Sequence, residues 1–289
     1  MFNMMMRMMV RSSLVAVAIA TLSAGAQADV VAKKVKTSLP AAAYGEEVWA
    51  NAPTETLTLI AQPAAVPMPK ETTTSEIKVQ AVHDGKYIAF RMKWADTEAS
   101  QGGKLGEFSD AVAMQFPVKK NEAPPAIMMG SKDDPAHIFH WRYQYQHDAE
   151  KGMKTVKDIY PNSLPDMYPL EFAHSGSVKD LNDEKRMVFS HGKAAGNPQS
   201  FPKTGVDEIM AEGFGTSAVI EKADSQGKGV WKDGAWSVVI VRALARSGGS
   251  TLVPGKPANV AFAVWQGGKD EVGSRKSLTM DWAPLKIEE

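Results

Sequence analysis

The stretch Ala111-Val-Ala-Met-Gln-Phe-Pro117 decides the fold class. Val112, Met114 and Phe116 fall on one side of an extended chain, and Pro117 ends it, as a strand with one buried face requires. Downstream, Pro124-Pro-Ala-Ile-Met-Met-Gly130 leads into a second strand candidate, Ile138 to Tyr145, rich in aromatic residues. Two adjacent methionines therefore stop at a glycine between two strands, where a thioether is a candidate soft ligand for a metal cofactor. The chain has no cysteine, which excludes iron–sulfur clusters and covalently attached c-type haem. A cofactor held here would be held without covalent bonds.

Strand-like segments extend outward from this centre. Ile77 to Val82 and Tyr87 to Trp94 flank His83-Asp84-Gly85-Lys86, and Asp-Gly is a strong hairpin signal. Gly215 to Glu221, Trp236 to Ala245 and Val260 to Gln266 read as further strands, with a tight turn at Asp233-Gly234. Helical periodicity is weak, with Asp207 to Glu212 the best short helix. Between about 148 and 210 the prolines and charged runs, such as Asp180 to Arg186, predict a long irregular insertion. The pattern is that of an all-β protein, a β-sandwich carrying one long insertion, in a single domain over 29–289.

The N-terminus predicts export. Arg7 and Arg11 precede the apolar stretch Leu14 to Leu22, and Ala26-Gln27-Ala28 is a small-x-small cleavage site, so residues 1–28 read as a Sec-type signal peptide. The apolar run is too short to span a bilayer, and no second run approaches the needed length, so no membrane span is expected. Lys plus Arg and Asp plus Glu balance at 33 each, so nothing suggests a nucleic-acid partner. No Ser-His-Asp order or paired carboxylates point to hydrolysis. Gly213-Phe-Gly215 lacks the lysine of a phosphate cradle.

Several blocks in order carry a family resemblance: Asp110-Ala-Val-Ala-Met-Gln-Phe-Pro117, Met128-Met-Gly130, His140-Trp-Arg142, Ala211-Glu-Gly-Phe-Gly-Thr216, Trp236-Ser-Val-Val-Ile-Val-Arg242, Val260-Ala-Phe-Ala-Val-Trp265, and Ser274-Arg-Lys-Ser277 followed by Trp282. Together they resemble the haem b-binding γ subunit of the ethylbenzene dehydrogenase, dimethylsulfide dehydrogenase, chlorate reductase and selenate reductase group. The resemblance implies a periplasmic β-sandwich related to carbohydrate-binding modules, holding one haem b between a methionine and a lysine. It further implies a non-catalytic electron-transfer subunit. Such a subunit works between the iron–sulfur subunit of a molybdenum oxidoreductase, beside its molybdenum catalytic subunit, and a soluble periplasmic c-type cytochrome.

Carried onto this chain, the resemblance assigns the axial positions to Met129 and Lys276, with Met128 the alternative methionine and Met114 a third. Axial methionine raises a haem potential. A lysine ligates only as a neutral amine, so its pKa must fall below the ordinary value of about 10.4. Phe139, Trp141 and Trp265 are candidates for the apolar pocket, and Arg142 or Arg275 for pairing with haem propionates. His137 and His140 differ by an odd number of residues and so point to opposite faces of a strand, a poor chelate, though His140 stays open as an alternative ligand. Two other functions remain open on sequence: a carbohydrate-binding module, and a free-standing periplasmic haem carrier or sensor.

Overall fold

The computed structural model describes residues 28–119, 121, 123–154, 156–162, 195, 204–220 and 223–289. The expected signal peptide up to residue 27, His174, His191 and the run Asp180 to Arg186 lie outside the described residues.

The strands are β1 (Val30–Lys34), β2 (Glu55–Thr58), β3 (Ile60–Ala61), β4 (Glu76–His83), β5 (Tyr87–Ala95), β6 (Ala111–Pro117), β7 (Gly130–Ser131) and β8 (Asp134–Arg142). They continue with β9 (Val206–Ala211), β10 (Ala218–Val219), β11 (Gln226–Lys232), β12 (Ala235–Ala243), β13 (Pro257–Trp265), β14 (Ser277–Leu278) and β15 (Ala283–Ile287). Their path runs β10-β9-β8-β6-β13-β15-β1-β4-β5-β12-β11. The long strand β13 joins the two layers. Its first half pairs with β15 and its second half with β6 and β14.

The layers pack face to face through alternate residues. Phe90 of β5 meets Phe116 of β6 and Phe262 of β13, with ring centres 5.7 and 6.4 Å apart. Val112, Met114 and Phe116 are all fully buried in this core, as the alternation of β6 predicts. The Asp84-Gly85 hairpin forms as expected, with Asp84 accepting N–H bonds from Lys86, Tyr87 and Leu39. Asp233 and Gly234 both have positive φ between the paired ends Lys232 and Ala235, the backbone a two-residue hairpin needs.

Asp110 fixes the start of β6. Its buried carboxylate accepts N–H bonds from Ser100, Gly267 and the Trp236 indole, at 2.6, 2.8 and 3.0 Å. Burial, and then the neighbouring Asp96 charge, push this carboxyl up to about 7.

Three expectations change. The strand expected over Ile138 to Tyr145 ends at Arg142, and an α-helix, α1 (Tyr143–Lys151), follows. A tertiary clamp holds it: Gln146 accepts from the Trp141 indole and from Gly229 N–H, and donates to Gly229 C=O. The helix expected over Asp207 to Glu212 is strand β9, paired with β8 and β10. Its adjacent acids disguised a strand; Glu208 is buried because His137 and Arg246 lie against its carboxylate. The far end of the expected insertion is therefore part of the sheet. The strand expected over Gly215 to Glu221 shortens, within the described residues, to β10.

Candidate functional site

The outer faces of the two layers are treated differently. On the β4-β5-β12 side, Val82, Ala89, Val239 and Val241 are covered by Leu39, Ala43, Trp49 and Ala52. On the other layer, the outward residues of β6, β8 and β13 form the floor of a cavity of about 590 Å³, within the range of small-molecule and cofactor sites. Cross-strand pairing sets the floor in rows: Trp265–Ala111–Arg142, then Ala263–Ala113–His140, then Ala261–Gln115–Ile138–Ile209. Four alanines at alternating positions keep the centre low, and larger side chains stand around it. That shape admits a flat ring.

Ile127, Met128 and Met129 border this cavity, on a loop pinned at three points. Trp282 Nε1 donates to Pro125 C=O at 2.8 Å, Gln115 Nε2 donates to Ile127 C=O, and Gly213 N–H donates to Met129 C=O at 2.9 Å. Met129 takes φ = 68°, a left-handed conformation uncommon for a non-glycine residue and retained where surroundings over-determine it. Gly130 follows at φ = 80°. A Cβ there would lie 2.8–2.9 Å from backbone atoms of Ala136, Ala211 and Asp134, so only glycine lets the loop press onto β8 and β9.

Lys276 borders the same cavity. Its Nζ lies 4.8 Å from the Trp265 ring centre, a cation–π contact, and no ion pair to it is found among the described residues. Burial lowers its amine to about 8. The residue is half-buried, and the surface it keeps belongs to the cavity wall. Trp265 also stacks on His140, with ring centres 4.7 Å apart, and fixes its own indole by donating to Gly273 C=O at 3.0 Å. Arg142, another lining residue, donates to the Tyr145 hydroxyl at 2.8 Å and approaches His140 Nδ1 at 3.5 Å.

Of the residues singled out in sequence, the cavity brings together Met128, Met129, Lys276, Arg142, His140 and Trp265. Trp141 is a correction. It follows His140, so its ring points the other way, is fully buried, and packs on Trp236 at 5.1 Å. Phe139 shares that core face; Met114 also borders the cavity but is fully buried in the core. Arg275 sits one shell back, 5.7 Å over the ring of Phe108, which does border the cavity. His137 belongs to a sealed network: its Nδ1 lies 3.1 Å from Ser250 Oγ and its Nε2 3.4 Å from Glu208 Oε2. With His137, Glu208 and Ser250 all essentially unexposed, that Ser-His-Glu arrangement has no access for a substrate and acts as a structural tie. Sequence reasoning missed the alanine floor and the Gln115 clamp. The signal for the floor was present as Ala-x-Ala in both β6 and β13.

Chemically, the cavity offers a neutral sulfur donor, an amine that deprotonates easily, a recessed apolar floor and a guanidinium. Such donors and walls are compatible with an iron porphyrin carrying carboxylate side chains.

Residues 46–277 match the family model described as Ethylbenzene dehydrogenase. A Haloferax mediterranei protein described as a respiratory nitrate reductase haem subunit is 23% identical over 239 residues, 82% of this chain and 64% of that protein. The chain thus spans less than two thirds of that relative's length. The chlorate reductase γ subunit of Ideonella dechloratans is 24% identical over 244 residues, 83% of this chain and 77% of the relative. Among solved structures, a family 9 carbohydrate binding module of Caldicellulosiruptor kristjanssonii in complex with glucose is similar. It has a TM-score of 0.40 and 8% identity, covering 90% of this chain and 95% of that one.

Proposed function

The chain belongs to the ethylbenzene dehydrogenase family, and from that premise we propose that it is a non-catalytic electron-transfer subunit holding one non-covalent haem b between Met129 and Lys276. The observation that carries this reading is the pairing, on one cavity, of a pinned methionine loop with an amine that burial has lowered to about 8.

The bound haem would supply a one-electron iron couple. The chain's own residues do the rest. Met129 offers its sulfur from a backbone already fixed before the cofactor arrives. Lys276 offers a lone pair once its proton leaves, which is easier at this site than in water. Trp265 and His140 wall off water, and Arg142 places a positive charge where acidic side chains of the cofactor can meet it. Met129 and Lys276 would both be taken up in holding the haem, which fits a subunit that carries electrons and turns over no substrate.

We further propose that its partners are the molybdenum catalytic subunit and iron–sulfur subunit of an oxidoreductase, and a soluble periplasmic c-type cytochrome. The relatives named as a nitrate reductase haem subunit and a chlorate reductase γ subunit support this. Export to the periplasm through a Sec-type signal belongs to the same proposal. Sugar binding is less well served. Stacking on a sugar needs an open indole face, yet Trp49, Trp94, Trp141, Trp236 and Trp265 are buried. Trp282 is half-buried, and Trp231, at 36% exposure, shows part of its ring at the surface away from the cavity.

Titrating the apoprotein with haemin tests the reading. A sharp end point at one haem per chain, with a low-spin spectrum, is expected. Absence of saturable binding overturns it.

A further inference from the structure

His140 has a feature that the proposed ligands do not use. Its ring lines the cavity, but its Nε2 is closed off from solvent and has no hydrogen-bond partner among the described residues. A buried polar nitrogen without a partner costs stability and calls for an acceptor supplied from outside the fold. The other ring nitrogen, Nδ1, lies 3.5 Å from the Arg142 guanidinium. Arginine has donors only, so this contact favours the neutral tautomer with the lone pair on Nδ1 and the proton on Nε2. A histidine that ligates a metal through Nε2 needs the opposite tautomer, with Nδ1–H given to a carbonyl or carboxylate. Arg142 therefore favours His140 Nε2 as a donor over a ligand.

Resting on the haem reading above, we propose that His140 Nε2–H, together with Arg142, binds a propionate carboxylate of the haem. Two further observations support it. The partners of Arg142 are the neutral Tyr145 hydroxyl and His140, and no carboxylate is paired with it among the described residues. Trp265 is stacked on the imidazole, which leaves Nε2 as the polar atom of that ring still to be met. Because Nε2 exposes no surface before the cofactor enters, its acceptor reaches it as wall side chains rotate around the incoming ring, a common adjustment on binding.

The test compares haemin with its dimethyl ester, in which both carboxylates are blocked, on the full exported chain. Wild type should bind haemin more tightly than the ester. His140→Leu should lose about tenfold or more in affinity for haemin, the scale of a hydrogen bond to a charged group. It should change little for the ester and keep the low-spin spectrum. His140→Gln, which keeps a donor, should recover part of the loss, and it remains informative should the leucine variant not fold. Equal losses for haemin and ester would make His140 a mere wall and overturn the inference. A change to a high-spin spectrum in both variants would make it a ligand and overturn it too. Failure of wild type to bind either compound would instead sink the haem reading beneath it.

Discussion

Lys276 Nζ stands 4.8 Å from the centre of the Trp265 ring, with burial alone lowering its amine to about 8. An indole face attracts the ammonium form, but more weakly than the water it has lost. The cavity thus holds a lysine close to giving up its proton at neutral pH.

A pH dependence of cofactor binding follows, with a definite sign. Iron and proton compete for one lone pair, so haem affinity should be level above about pH 8. It should fall about tenfold for each unit below it. Haemin titrations between pH 6 and 9 check this; affinity rising towards acid would contradict it.

The same amine affects the apoprotein. Its folded pKa, about 8, lies below the ordinary value, so between those two values the unfolded chain binds more protons and stability rises with pH. Lys276→Met should remove that rise and stabilise the apoprotein at pH 7, while abolishing low-spin haem. Urea midpoints at pH 7 and 9.5 for both proteins measure it.

Met129 should separate function from stability. Its left-handed backbone, φ = 68°, is easier for glycine. Met129→Gly should therefore change apoprotein stability by no more than about 1 kcal/mol, yet lose the thioether ligand. Met114→Ala, in the core, should cost about 2–5 kcal/mol and leave the ligand spectrum intact. Met128→Ala should also leave that spectrum intact. Denaturant unfolding and absorption spectra of the three variants give the comparison.

Gln115 should act on the ligand without touching it. Its amide donates to Ile127 C=O, two residues before Met129. Gln115→Leu keeps the floor covered but frees the loop, so the predicted effect is a weakened methionine ligand and a lowered reduction potential. Global stability should fall by only about 1–2 kcal/mol. A potentiometric titration unchanged from wild type would show that the clamp is irrelevant to the iron.

Acid should destabilise the fold. Burial holds His83, His137 and His140 below the ordinary histidine value, so as pH falls through about 6.5 the unfolded chain gains protons that the folded one refuses. The Glu208 carboxyl, held down chiefly by its bond with His137 against the opposing effect of burial, adds a loss at lower pH, where it protonates. Asp110, pushed up to about 7, takes up its proton more readily in the folded chain and offsets part of this loss. In an Asp110→Asn background urea midpoints should drop steadily from pH 7 to 5, and a flat profile there would contradict the buried neutral assignments.

What the sequence made legible, and what it did not, divides along physical lines. The alternation in β6 and the Asp-Gly turns are local signals, and the structure follows them. The roles proposed for Lys276 and Met129 come from resemblance alone, because a Ser-Arg-Lys turn and a Met-Met pair look like surface charge and core filling by themselves; the structure places both on one cavity. Trp141 was misplaced because aromatic content was counted without its parity relative to His140. Strand β9 was missed because Asp207 and Glu208 suggest solvent, and what buries Glu208, at His137 and Arg246, is remote in sequence. Helix α1 depends on Gln146 reaching β11, a contact no local pattern announces.

Haem b ligation by Met129 and Lys276 is tested most directly by the absorption spectrum of the purified protein, oxidised and reduced, with a pyridine haemochrome assay. The account predicts a low-spin b-type spectrum and one extractable haem per chain, with the low-spin signature lost in both Met129→Ala and Lys276→Ala. A colourless protein that haemin cannot reconstitute, or a spectrum unchanged in both variants, would contradict it.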